Sequence, residues 1–212
     1  MRKIMLFLML VGAVVQITAQ TNDGFDSRRV VLPNGWHLTP AGKMLQLGDL
    51  PLNIAVSPNG KLAAVTNNGQ STQMIHLVDI KKGIVTDSVI IGKSWLGLVY
   101  SDDGKTLYAS GGNDNWIIKY NIRRKELINA DTIRIGKPWP ERISIAGLAL
   151  DDRKKVIYAV TKENNMLYAI DLITKSIISE TPLGGEGYTC ILSPDRKTLY
   201  ATCWGCDKVV IF

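Results

Sequence analysis

Gly48-Asp49-Leu50-Pro51-Leu52-Asn53-Ile54-Ala55-Val56-Ser57-Pro58-Asn59-Gly60-Lys61-Leu62-Ala63-Ala64-Val65-Thr66-Asn67 contains the unit from which the fold is built. An apolar run, Asn53–Val56, meets the turn Ser57-Pro58-Asn59-Gly60, and a second run, Leu62–Thr66, leaves it. Proline suits the second turn position because its φ is fixed, and Asn and Gly tolerate the tight geometry that follows. The same grammar returns three times, at Ser101-Asp102-Asp103-Gly104, Asp151-Asp152-Arg153-Lys154 and Ser193-Pro194-Asp195-Arg196. The anchors Ser57, Ser101, Asp151 and Ser193 stand 44, 50 and 42 residues apart. A period of about 45 residues is that of propeller blades.

Working outward from each anchor, the inner runs are 53–56, 97–100, 146–150 and 190–192, and the second strands 62–66, 106–110, 156–161 and 198–202. An Asn/Gly-rich turn leads to a third strand at 74–79, 116–121, 166–171 and 209–212. A more polar fourth strand closes three units, at 84–91, 127–135 and 176–183. These segments alternate apolar and polar residues and are rich in Val, Ile, Tyr and Thr, the pattern of half-buried strands. No sustained 3.6-residue period follows the first 19 residues, so helix is expected to be scarce. Upstream, 35–48 reads as the last two strands of an earlier blade. The expected class is an all-β propeller of four-stranded blades, about four of them present.

The run Pro51-x-x-Ile54-Ala55-Val56-Ser57-Pro58-Asn59-Gly60-Lys61, continued through Val65-Thr66-Asn67 to Val78-Asp79, resembles the YVTN-type β-propeller repeat. The resemblance covers residues 35–212 and recurs four times. Asp151 and Arg153 depart from it, replacing the usual Ser and Asp, and Cys203 and Cys206 stand where small or polar residues are commoner. Leu32-Pro33-Asn34-Gly35-Trp36, Thr39-Pro40-Ala41-Gly42 and Trp204-Gly205 are similar to exported bacterial propellers that precede an alkaline-phosphatase-like phosphoesterase domain. That resemblance implies two partners, the remaining blades of the ring and a C-terminal catalytic domain.

The first 19 residues read as an export signal: Arg2 and Lys3, then a 12-residue apolar run from Ile4 to Val15, too short to span a bilayer. Residues 20–34 form a lead-in, and 35–212 the partial propeller. Cleavage after Ala19 leaves 193 residues, with 23 basic against 19 acidic side chains, a net charge of +4. This excess is well short of a nucleic-acid-binding composition. Hydrophobic content of 46% and charged content of 21% exclude disorder, collagen, coiled coil and a multi-span membrane protein. The expected location is the periplasm or the cell exterior. A seven-bladed ring of the family needs roughly 315 residues, so the chain is expected to be the N-terminal part of a longer protein. A pair of chains completing one ring, or a short arc, are the alternatives.

Candidate binding residues lie at the end of the ring built from inter-blade connections and from loops between second and third strands: Lys93, Trp95, Lys137, Trp139, Arg142, Tyr188 and Trp204. Aromatic rings beside cations can stack bases or sugars or cradle an anionic group; the alternative for Trp95 and Trp139 is packing between blades. Cys203-Trp204-Gly205-Cys206 lacks the following His of a haem attachment and a second ligand pair for zinc. A disulfide or free thiols remain for it in an oxidising compartment, and Cys190 reads as a small buried hydrophobe. Asn113-Asp114-Asn115 lacks the calcium-loop spacing and reads as a turn. With two His and no clustered Asp ligands, no catalytic residue, metal site or cofactor is expected. The function expected is an exported binding or scaffold module of a larger hydrolase. A lactonase-like propeller and a single-stranded nucleic-acid binder are the rival readings.

Overall fold

The computed structural model describes residues 30–38, 44–138 and 140–212. The chain divides into two compact units, Met1–Met44 and Leu45–Phe212. The expected signal and Trp139 lie outside the described residues. In the first unit β1 (Val30–Val31) pairs with β2 (His37–Leu38), Val31 opposite His37. Gly35, at φ +80°, closes the turn by donating its N–H to the Leu32 carbonyl at 2.9 Å. The first of the two upstream strands expected within 35–48 is therefore half of a hairpin that begins before Gly35. Residues 44–47 carry no strand, and 39–43 lie outside the described residues.

The second unit is a four-bladed β-propeller of antiparallel sheets. Blade 1 is β3 (Pro51–Val56), β4 (Leu62–Asn67), β5 (Met74–Asp79) and β6 (Ile84–Ile90). Blade 2 is β7 (Leu98–Tyr100), β8 (Thr106–Ser110), β9 (Trp116–Arg123) and β10 (Glu126–Arg134). Blade 3 is β11 (Ile145–Asp151), β12 (Val156–Thr161), β13 (Met166–Asp171) and β14 (Ile177–Pro182). Blade 4 has three strands, β15 (Glu186–Leu192), β16 (Leu199–Trp204) and β17 (Val209–Ile211). Among the described residues the one helical element is a 3-10 turn at Gly112–Asp114, and no helix is long and apolar enough to cross a membrane.

The anchors work through one repeated hydrogen-bond set. Ser57, Ser101 and Ser193 accept the N–H five residues on through Oγ, at 2.9, 2.9 and 3.0 Å. Each hydroxyl donates to the side-chain oxygen two residues on, Asn59, Asp103 or Asp195. That oxygen in turn accepts the N–H of Lys61, Lys105 or Lys197. The chain then needs a left-handed residue, supplied by Gly60, Gly104 and Arg196 at φ +68°, +69° and +62°. In the third unit Asp151 lacks the hydroxyl, and the left-handed position slips one residue to Lys155 at φ +55°.

Several of these turn carboxylates are held below the ordinary aspartate value of 3.8. The Ser193 hydroxyl does this for Asp195, the Lys105 N–H for Asp103 and the Thr174 N–H for Asp171. The Ser71 N–H and hydroxyl hold Asp49 at about 2, and the Lys125 ammonium lowers Asp79. A group depressed on folding contributes stability above its unfolded value and loses it as pH falls through its folded value. The urea midpoint is therefore expected to be flat from pH 7 to 5 and to fall between about pH 4 and 2. A midpoint unchanged across that acid window would contradict these contacts.

Successive blades pack face to face, 1 on 2, 2 on 3 and 3 on 4. Leu77, Leu98, Leu107 and Ala109 fill the first seam, Ile117, Ile145, Ile157 and Ile170 the second, and Val160, Leu167, Leu199 and Ala201 the third. Cys190 belongs to the third seam, and its burial pushes the thiol up to about 12. The far face of blade 4 differs. Counted from the anchors, Ile191, Tyr200 and Val209 are the counterparts of Ala149, Tyr158 and Leu167, which pack in the seam with blade 4, and Ile211 is the counterpart of the buried Ala169. Ile191 and Ile211 are nevertheless 67% and 65% exposed.

Candidate functional site

At one end of the blades, two register positions of the repeat come together. Seven residues before the anchors stand Ser94, Ser144 and Glu186; eleven after them stand Gly112, Lys162 and Trp204. Because every blade has the same strand order, equivalent positions of neighbouring blades converge on the same end. Two small clefts form there, of about 220 and 230 Å³. The first is lined by Lys93, Ser94, Asn113, Ser144 and Glu163 among others, the second by Glu186, Gly187, Tyr188 and Trp204. Trp95 and Lys162 line both.

The shared wall is a cation over a ring: Lys162 Nζ lies 5.6 Å from the Trp95 ring centre. In the second cleft Tyr188 and Trp204 meet edge to face, 5.1 Å between centroids and 66° between planes. Lys93 is engaged by Asp114 at 2.8 Å. Among the described residues no carboxylate lies within 4.0 Å of Lys162 Nζ, which leaves its charge for a ligand. The Gln73 Oε1, buried at the edge of the first cleft, has no hydrogen-bond partner among the described residues.

Of the residues singled out from sequence, Lys93, Trp95, Tyr188 and Trp204 are brought to these clefts. Lys137 and Arg142, both exposed, line neither. They sit on the connection that Asn115 holds down: its side-chain amide donates to the Lys137 and Glu141 carbonyls at 2.6 and 2.9 Å and accepts the Ser144 N–H at 2.8 Å. Asn115 is fully buried at φ +57°, so the Asn113–Asn115 stretch is a structural turn that clamps the next blade's lead. Trp139, on the same connection, lies outside the described residues. Sequence reading missed Lys162, Glu163, Glu186, Ser94 and Ser144. The repeat itself carried a signal for one of them, since Lys162 shares its register with Trp204.

Cys203 and Cys206 are free thiols, and burial raises the Cys203 thiol. Gly185 leaves room for them: a Cβ there would lie 2.6 Å from Cys206 Sγ. His76 is buried in blade 1, its Nδ1 2.8 Å from Ser88 Oγ, and burial lowers its pKa. No three His, Cys, Asp or Glu among the described residues are placed to hold a metal ion. Among the described residues the cleft hydroxyls of Ser94 and Ser144 bond the side chains of Asn68 and Asn113; what the lining can do is stack, hydrogen-bond and hold charge.

No family model and no curated protein match the sequence. Solved structures match the fold. Hydrazine synthase of Kuenenia stuttgartiensis is similar with a TM-score of 0.64 at 21% identity, over 82% of this chain and 49% of that one. The β-propeller domain of Myceliophteria thermophila Cps50 (Swd1) is similar with a TM-score of 0.61 at 16% identity, over 76% and 50%. The chain thus spans about half the length of the structures it matches.

Proposed function

We propose that this propeller is an exported binding module whose ligand sits at the Trp95–Lys162 wall, and that it serves a larger hydrolase of the phosphoesterase type. The observation that carries the binding part is the Lys162 ammonium over Trp95, with no carboxylate partner among the described residues and a cleft on either side. Rigid blades hold these loop residues in place, the arrangement by which such scaffolds carry function. The site has polar groups converging on apolar walls, as ligand sites do.

A ligand-observed NMR screen of neutral and acidic sugars, nucleotides and carboxylates at about millimolar concentration tests the reading. At least one compound is expected to bind, and Trp95→Ala is expected to weaken it by about tenfold without lowering the melting temperature appreciably. A screen with no binder, or a binder indifferent to Trp95→Ala, overturns it.

Parentage in a larger exported protein rests on the sequence resemblance and on the open face of blade 4. Ile191, Tyr200 and Val209 occupy positions that a following blade covers elsewhere in the chain, and a further blade of the same protein is the natural cover. The mass of the native product, detected with an antibody against this segment, decides the matter. A product far above the roughly 21 kDa expected for 193 residues, recovered in the exported fraction, is the expected result. A short product, or one retained with residues 1–19, refutes the corresponding part.

A further inference from the structure

Taking the binding reading above as its premise, the ligand's chemistry follows from the second cleft. At about 230 Å³ it is smaller than the roughly 300–1,000 Å³ of sites for drug-sized ligands. It therefore admits a single ring, with the first cleft beyond Lys162 free to take a substituent or a linked second ring. Tyr188 and Trp204 present faces at 66°. That angle is an open corner and not the parallel slot in which a flat base is clamped. A pyranose suits a corner: its axial C–H bonds lie against one aromatic face while its hydroxyls point along the rim. Glu186, exposed on that rim, accepts hydroxyl protons. Lys162, with Glu163 next to it in sequence but no carboxylate within 4.0 Å among the described residues, supplies a positive charge at the junction of the clefts.

We infer that the site takes an anionic pyranose, a sugar ring held in the Tyr188–Trp204 corner with its carboxylate or phosphate against Lys162. Lysine acts as a compact point charge, so a uronic acid and a sugar phosphate share the required chemistry. Glu186 disfavours a second negative charge on the ring side, which sets the polarity of the bound sugar.

Titration of the whole chain with glucuronate, glucose 6-phosphate, glucose, inorganic phosphate, acetate and adenosine monophosphate, read by intrinsic tryptophan fluorescence, tests this. Glucuronate or glucose 6-phosphate is expected to bind at least tenfold tighter than glucose, acetate or inorganic phosphate. Whichever of the two is tighter identifies the acid group. Lys162→Met is expected to abolish the preference over glucose, Lys162→Arg to retain most of it, and Trp204→Ala to weaken both charged sugars tenfold. Both side chains sit in loop or strand-end positions, and matching near-ultraviolet melts confirm that the variants are folded. Equal affinity for glucose, equal affinity for the bare anions, or tighter binding of adenosine monophosphate overturns the proposal. If all six probes fail while another compound in the wider screen binds at Trp95, the sugar assignment falls and the binding reading stands.

Discussion

Gly147→Ala is expected to lower stability by about 3 kcal/mol, at the upper end of the usual overpacking cost, and the melting temperature by roughly 6–12 °C for a chain of this size. Gly147 lies in β11, four residues before its anchor, where blade 3 meets the innermost strand of blade 4. A Cβ there would stand 2.5 Å from Thr189 Cα, 3.0 Å from the Tyr188 carbonyl oxygen and 3.1 Å from Cys190 N. All three atoms are backbone, so no rotamer can give way; either the two strands separate or the added methyl is compressed. Separation would open the seam that buries Val160, Leu199 and Ala201 and would shift Tyr188 in the candidate site. Gly92→Ala is the control, since nothing lies within 4 Å of a Cβ at that position; it is expected to be neutral. Differential scanning calorimetry of the two variants decides, and a Gly147→Ala melt within about 2 °C of the parent would mean that the blades do not approach this closely.

The second large effect is expected at the opposite end of the blades. Arg196 adopts φ +62°, where blades 1 and 2 use Gly60 and Gly104. A left-handed non-glycine costs on the order of 1 kcal/mol or more, and the side chain explains why it is tolerated. Nη2 lies 2.7 Å from both carboxylate oxygens of Asp102 in blade 2, and Nη1 lies 3.4 Å from Asp151 Oδ1 in blade 3. One guanidinium thus ties three blades together. The Asp102 side chain is half exposed, so water screens that contact and its share is small. The Asp151 side chain is 2% exposed and, among the described residues, would keep only Lys154, through its ammonium at 3.8 Å and its backbone N–H at 3.2 Å.

Arg196→Ala, which retains the strain and takes the guanidinium from a buried carboxylate that keeps Lys154 alone, is expected to cost about 2 kcal/mol, below the 3–5 of a fully buried pair. Arg196→Gly relieves the strain and is expected to cost about half as much. Arg196→Lys is not expected to rescue, because a single ammonium cannot serve both carboxylates. Urea unfolding of the three variants reads these out. If Gly is as damaging as Ala, backbone strain has no part in the explanation.

Much of this molecule follows from local chemistry. The Ser-x-Asx-Gly turns close through bonds reaching two and five residues, and the apolar alternation on either side reports which strand face is buried. For that reason β5, β8, β12 and β13 begin and end where the sequence places them, and the repeat period alone predicts blades. The end of the propeller that gathers the loops was legible too, since Trp95, Tyr188 and Trp204 were assigned to it from their places between strands. The upstream hairpin was harder: Val30–Val31 is a two-residue strand, too short for any periodicity to register.

What local chemistry could not supply is which of those loop residues meet. Lys162 reaches Trp95, and Arg196 reaches Asp102, across long stretches of chain whose intervening residues carry no trace of either contact. Those distances depend on how each blade is rotated against the next. That rotation is set by the seams, where Gly147 allows backbone against backbone and leucines and isoleucines fill the rest. Residue types therefore specify the blade, because its bonds are short-range. The packing between blades specifies the site, because only there do matching positions of different repeats become neighbours.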